Sequence, residues 1–164
     1  MTSLNTVVEL TESEQAICRY IAKRRFENNR SGGIQDQKIG AQSNANVDLN
    51  GFAGEFAFCK LHNIMPDFSI NVRKTNANDY DAILENKKID VKTTEYPTGK
   101  LVAVEWKNDK VDLYALMTGE FPKYTFRGFM RREELRRPER LGTLGRGPTY
   151  IARQEELKTL NELF

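Results

Sequence analysis

The chain is poor in the residues that disulfide, zinc and membrane architectures require. It holds two cysteines and one histidine in 164 residues. Cys18 and Cys59 stand far apart, each in a run of helical appearance. They read as core thiols in a reducing compartment, not as a bridge framework. His62 alone cannot build a histidine-rich zinc site, and the cysteines lack the short spacing of zinc ligands. No run approaches the roughly 18 apolar residues of a membrane span. The start, MTSLNTVVEL, has neither a basic lead nor a long apolar centre, so no signal peptide is expected. Internal repeats and low-complexity tracts are absent from the sequence. A formal net charge of +2 is too small to name a partner. The stretch 142–148 is rich in glycine but lacks the lysine and spacing of a nucleotide-binding P-loop. No pattern supports a serine or cysteine hydrolase. A cytoplasmic protein with no membrane partner is the expectation.

The length suits one domain over 1–164, large enough to bury a core without a disulfide or structural metal. Thr11 and Glu14 have the spacing of a capping box, which starts a helix to about residue 28. Ile17, Tyr20, Ile21 and Arg24 are expected to share its buried stripe. Residues 31–50 are polar and read as a loop, with a turn of helix near 35–39. They serve either as a cover over substrate or as surface padding. A second helix is expected over 50–62, capped by Asp48 or Asn50. Phe52, Phe56 and Cys59 form its apolar stripe, and Glu55 lies on the inward side. Gly51 and Gly54 each cost about 1 kcal/mol relative to Ala in a helix. Keeping both implies close approach to another backbone. Strands are expected at 68–72, 100–106, 111–117 and 123–130, with an edge strand at 149–152. The strands 100–106 and 111–117 are the expected centre of the sheet. A short helix or turn over 131–137 and a terminal helix over 155–164, with Leu157, Leu160 and Leu163 packing down, complete the chain. Helices followed by a mostly antiparallel run of strands indicate an α/β or α+β fold.

The stretch from Asp79 to Thr94, DYDAILENKKIDVKTT, carries the chemistry. It reads as strands 80–84 and 89–94 joined at the polar Glu85-Asn86-Lys87-Lys88. In the second strand Ile89, Val91 and Thr93 point one way and Asp90, Lys92 and Thr94 the other. Side chains two apart stand about 6.5 Å from one another on one face. A carboxylate thus stands beside an ammonium, and Asp81 can bring a second carboxylate to the same place. Glu55 is a candidate third. Bunched acids repel, so at least one pKa should rise, and a divalent cation would remove that penalty. Phosphodiester hydrolysis uses such a cation to polarise phosphate and acidify water. The plainer alternative is an Asp90–Lys92 pair on an exposed sheet face, contributing a few tenths of a kcal/mol.

Asp81, then Asp90-Val91-Lys92, with Glu55 upstream in GFAGEFAF, resembles the PD-(D/E)XK nuclease superfamily. The run IDVKTT and the later YTFRGFMRREEL resemble its small phage and prokaryotic members. The likeness implies a restriction-endonuclease-like core, a central mixed β-sheet flanked by helices. It implies a magnesium-dependent endonuclease, with manganese as substitute, acting on DNA in a bacterial cell or phage-infected host. Glu55, Asp81, Asp90 and Lys92 match the catalytic positions. The metal ligands it implies are Glu55, Asp81, Asp90 and the Val91 carbonyl. Asn78-Asp79 stands where the family often has Pro-Asp. Asp79 and Asp81 are both candidates for the strand ligand. Asp81 is favoured because strand follows it directly, and Asp79 and Thr94 are then supporting residues.

Arginines gather late in the chain, and Arg127, Arg131, Arg132 and Arg146, with Arg24 from the first helix, are candidate phosphate contacts. Cutting two strands commonly calls for two sites, so a homodimer is expected. The competing readings are a non-catalytic nucleic-acid-binding protein of the same fold and a viral structural or interaction protein.

Overall fold

The computed structural model describes residues 2–31, 41–70, 80–107, 109–145 and 147–164. Among them the chain is a mixture of helix and sheet. A short strand β1 (Thr6–Glu9) leads into helices α1 (Glu12–Ser31) and α2 (Ala41–Leu61). The hairpin β2 (Ala82–Leu84) and β3 (Lys87–Thr94) follows, then β4 (Leu101–Val104), β5 (Leu113–Glu120) and β6 (Lys123–Arg131). The chain closes with α3 (Arg132–Leu135), β7 (Leu141–Thr143), β8 (Pro148–Ala152) and α4 (Leu160–Leu163).

Five strands form a mixed sheet in the order β1-β6-β5-β3-β2. Strands β3 and β5 run parallel, and the other neighbours are antiparallel. Antiparallel neighbours need only tight turns, whereas a parallel pair needs a crossover. Here the crossover carries β4, which leaves this sheet and pairs with β8 in a second sheet, β4-β8-β7. Strand 100–106 is therefore not at the centre of the main sheet, where β5 does sit. Likewise β8 is the middle strand of its sheet, not an edge.

Alternation divides the core in two. On one face Ile89, Val91, Leu113, Ala115 and Met117 meet Cys18 and Ile21 of α1 and Phe52, Phe56 and Cys59 of α2. On the other, Tyr114, Leu116 and Met130 meet Leu101, Ala103 and Ala152 of the small sheet, with Leu135 and Leu157. The layers are helices, five-stranded sheet, three-stranded sheet. Both cysteines are free and buried, as core thiols.

Local chemistry explains several boundaries. The capping box forms: the Thr11 N–H donates to Glu14 Oε1 at 2.7 Å, and the Glu14 N–H to Thr11 Oγ1 at 3.2 Å. The buried stripe of α1 is Cys18, Ile21 and Ala22, while Ile17 and Tyr20 are exposed. Arg24 lies over the Tyr20 ring and donates to its hydroxyl on that outer side. The expected stripe was rotated about one position from the true one. Helix α2 starts at Ala41, so much of the expected loop is helix, and neither Asp48 nor Asn50 caps it. The expected turn at 35–39 lies outside the described residues. Asn50 is instead a mid-helix tether. Its Oδ1 accepts from the Tyr124 hydroxyl at 2.6 Å and the Phe121 N–H at 3.2 Å. Residues 68–70 are not strand, and the remainder of 68–72 is outside the described residues. The terminal helix shrinks to a 3-10 turn at Gln154–Glu156, a bridge from Lys158 to Phe129, and the single-turn α4.

Candidate active site

The hairpin that carries the acids is built as its sequence requires. Only Glu85 and Asn86 separate β2 from β3, with φ of 49° and 66°. Two positive φ values match the twist of a two-residue hairpin, and asparagine accepts that region more readily than most residues. The hairpin sets Ala82 opposite Ile89. Beyond that pair β2 stops, and Asp81 takes over as a clamp around Asp90. Its N–H donates to the Ile89 carbonyl at 2.8 Å, and its Oδ2 accepts the Val91 N–H at 2.8 Å. The N–H and C=O of a strand residue face the same neighbour. The Val91 carbonyl is thereby directed to the edge that Asp81 occupies.

Asp90 itself points to the other layer. Its register partner on β5 is Tyr114, and that of Lys92 is Leu116, both in the core beneath the small sheet. Asp90 is 4% exposed. Lys92 Nζ stands 3.0 Å from Asp90 Oδ2, with the lysine side chain 29% exposed. Asp90 is therefore not on an open sheet face, while Lys92 keeps part of its side chain in solvent. Burial pushes the Asp90 carboxyl up to about 6; Lys92 opposes this, and the nearby Asp81 adds to it. Burial also works to lower the Lys92 pKa, but Asp90 and Asp81 outweigh it and the net shift is upward. Two carboxylates compete for one ammonium, so the lysine stays charged and the excess acid favours keeping a proton.

Glu55 does not join them. Helix α2 packs on the opposite face of β3, where Gly54 lies against Thr93 so closely that a Cβ would collide with its side chain. The expected close approach is thus real at Gly54, against a side chain rather than a backbone. Around Gly51 there is open space for a Cβ. Glu55 Oε2 stands 4.0 Å from Arg25 Nη1, an ion pair between α2 and α1. Among the described residues no three acids, cysteines or histidines come together as a metal-holding group. The structure brings together Asp81, Asp90 and Lys92, with the Val91 main chain between them, and leaves Glu55 on the helical side. Asp79 lies outside the described residues. Thr94 accepts the Tyr96 N–H at 3.4 Å, which ties it to the turn after β3.

The arginines are largely engaged within the molecule. Arg127 occupies a bulge in β6, where the register with β5 slips, and donates to Thr118 Oγ1 at 2.8 Å and Asn5 Oδ1 at 2.9 Å. Arg131 donates to the Leu163 carbonyl and stacks on the Phe164 ring. Arg132 belongs to a buried network that sequence reasoning missed. Asp109, assigned to a turn, is 1% exposed. It accepts the Tyr114 hydroxyl at 2.7 Å, Arg132 Nε at 3.0 Å and Arg136 Nη2 at 3.0 Å. Burial would raise its pKa, but the Tyr114 hydrogen bond and the two arginines reverse that and hold it low. Arg132 and Arg136, one helical turn apart before Pro138, were the available signal: that spacing aims two guanidinium groups at one partner. Arg146 lies outside the described residues.

These features define an α+β protein with a clamped, buried acid–lysine pair on a core strand. The chain belongs to the Family of unknown function (DUF5843), whose model matches residues 2–124. That span includes Asp81, Asp90 and Lys92 and ends before Arg132 and Arg136. No curated protein and no solved structure matches the chain. Among the described residues no helix is long and apolar enough to cross a membrane.

Proposed function

We propose that the protein is a metal-dependent nuclease of the PD-(D/E)XK type, with a restriction-endonuclease-like core, that hydrolyses DNA phosphodiester bonds at Asp81, Asp90 and Lys92. The observation that carries this reading is the convergence of two carboxylates on one ammonium at a hairpin edge, with burial raising the Asp90 pKa. An acid buried at such a cost is poorly explained as a stabilising device.

The donors suit magnesium, or manganese in its place. Such an ion keeps several waters and needs only one or two carboxylates beside substrate oxygens. Asp81, Asp90 and the Val91 carbonyl would hold it. When bound, it would polarise the phosphodiester and acidify a water for attack. Asp81 fixes the main chain on both sides of Asp90, so the carboxylate and the Val91 carbonyl keep one spacing. Lys92 remains protonated and offers positive charge to the phosphoryl oxygens. Glu55, paired with Arg25, has no ligand role in this scheme. Two copies of the chain would supply the two sites that double-strand cleavage calls for.

One observation favours a second reading, nucleic-acid binding without catalysis: Glu55 pairs with Arg25, and among the described residues no group of three acids forms. Incubation of purified protein with plasmid, branched and single-stranded DNA separates the two. Cleavage that needs Mg²⁺ or Mn²⁺, stops in chelator, and falls about a hundred- to a thousandfold in Asp90→Ala and Lys92→Ala is expected, the size of a lost electrostatic catalyst. Cleavage unchanged in chelator, or in either variant, contradicts the mechanism.

A further inference from the structure

The chain's only tryptophan stands on the loop beside this site, and its environment is unusual. Trp106 is 80% exposed. A lone exposed aromatic ordinarily needs no explanation. Here, however, the backbone that carries it is held on both sides. The Arg136 guanidinium donates to the Lys107 carbonyl at 2.6 Å, with longer contacts of 3.5 Å to the carbonyls of Val104 and Glu105. The Glu105 N–H donates to the Pro148 carbonyl at 3.1 Å. The same guanidinium bonds Asp109 and the Tyr114 hydroxyl, and Tyr114 is the register partner of Asp90. One half-buried arginine therefore ties the loop to the strand facing the acidic site. The next residue, Lys107, is close enough to Asp90 to act on its carboxyl.

An indole displayed outward from a rigid backbone is a low-entropy contact surface, because few torsions remain to be ordered on binding. Protein cores do not need it, and it lies next to groups suited to a phosphodiester. We infer that Trp106 is a stacking platform for an unpaired base and that the substrate class is single-stranded or locally unpaired nucleic acid. This rests on the nuclease reading only for the identity of the neighbouring site. Bases in an intact duplex hide their faces in the stack, whereas every unpaired base offers one to an aromatic ring. Lys107, near enough to act on Asp90, would then offer charge to the backbone of a stacked nucleotide.

Because Trp106 is the sole indole, its emission reports the contact directly, without turnover. In chelator, a short mixed-sequence single-stranded oligodeoxynucleotide should quench it and bind at least about tenfold more tightly than the blunt duplex of the same sequence at equal salt. Trp106→Ala, followed by fluorescence anisotropy of labelled DNA, should weaken single-strand binding about tenfold, while Trp106→Phe retains most of it. Unaltered emission with single strands, or equal single-strand affinity in Trp106→Ala, would overturn the inference. That includes the case in which the exposed ring serves a protein partner instead. The two readings fail separately. If single strands quench Trp106 and need it for binding, but the protein with Mg²⁺ cleaves no nucleic acid, the stacking platform stands and the nuclease falls. If blunt duplex is cleaved and Trp106→Ala changes neither binding nor cleavage, the reverse holds.

Discussion

Asp90 and Asp109 are buried to a similar degree, 4% and 1% exposed, and both lie by Tyr114 between the two sheets. Their chemistry diverges because their partners differ. Asp109 has a hydroxyl and two guanidinium groups, all donors, and its carboxyl is held low. Asp90 has one ammonium in contact, Lys92, with Lys107 acting from farther off and Asp81 opposing both, and its carboxyl is pushed up to about 6 by burial. A fully satisfied buried acid holds α3 and the β4–β5 loop in place. An under-compensated one leaves a demand for positive charge. Similar exposure thus goes with a carboxyl held low in one place and pushed up in the other, because Asp90 lies deeper and Asp109 has more donors.

The largest effect expected from testing this contrast is at the satisfied acid. Asp109→Asn leaves Arg132 and Arg136 without their counter-charge, and the loss of a buried pair partner costs about 3 kcal/mol or more. Urea denaturation at neutral pH should show that loss in the midpoint. The raised pKa of Asp90 gives the opposite sign. Its protonated form is favoured by folding, so its contribution is full below about pH 4 and is lost as pH rises through about 6. Asp90→Asn should therefore be more stable than the parent at pH 7, by on the order of 3 kcal/mol, with the advantage gone near pH 4. It should also abolish cleavage. Equal destabilisation by both substitutions at pH 7 would erase the distinction between the two acids.

The local parts of this arrangement were legible in the sequence. Thr11 and Glu14 announce α1, the polar break at Glu85-Asn86-Lys87-Lys88 announces the hairpin, although Lys87 and Lys88 belong to β3, and alternation puts Asp90 and Lys92 on one face. Gly54 announces a close approach, although its partner is the Thr93 side chain and not a backbone, and Gly51 has none. Each of these depends on neighbours within a few residues. What could not be read depends on distant ones. Nothing near Asp90 tells that β4 will leave the main sheet and pair with β8 over the face that carries Tyr114 and Leu116, or that Asp90 will be buried there. The polar start of α2 gives no helical pattern; packing of Leu49 and the Asn50 tether to the β5–β6 turn favour it. Glu55 is half-buried beside Arg25, on a helix that packs against the Thr93 face of β3 while Asp90 lies on the other. Asp109 was hidden in a stretch, Lys107 to Lys110, whose composition is that of any surface turn.

The most direct test is a ¹³C NMR titration of the Asp90 side-chain carboxyl, assigned by comparison with Asp90→Asn, with and without Mg²⁺. The expected midpoint is about 6 without the ion, moving down when Mg²⁺ is added because a bound cation favours the carboxylate. A midpoint near the ordinary aspartate value of about 4, indifferent to Mg²⁺, would contradict the assignment of Asp90 as an under-compensated acid awaiting a cation.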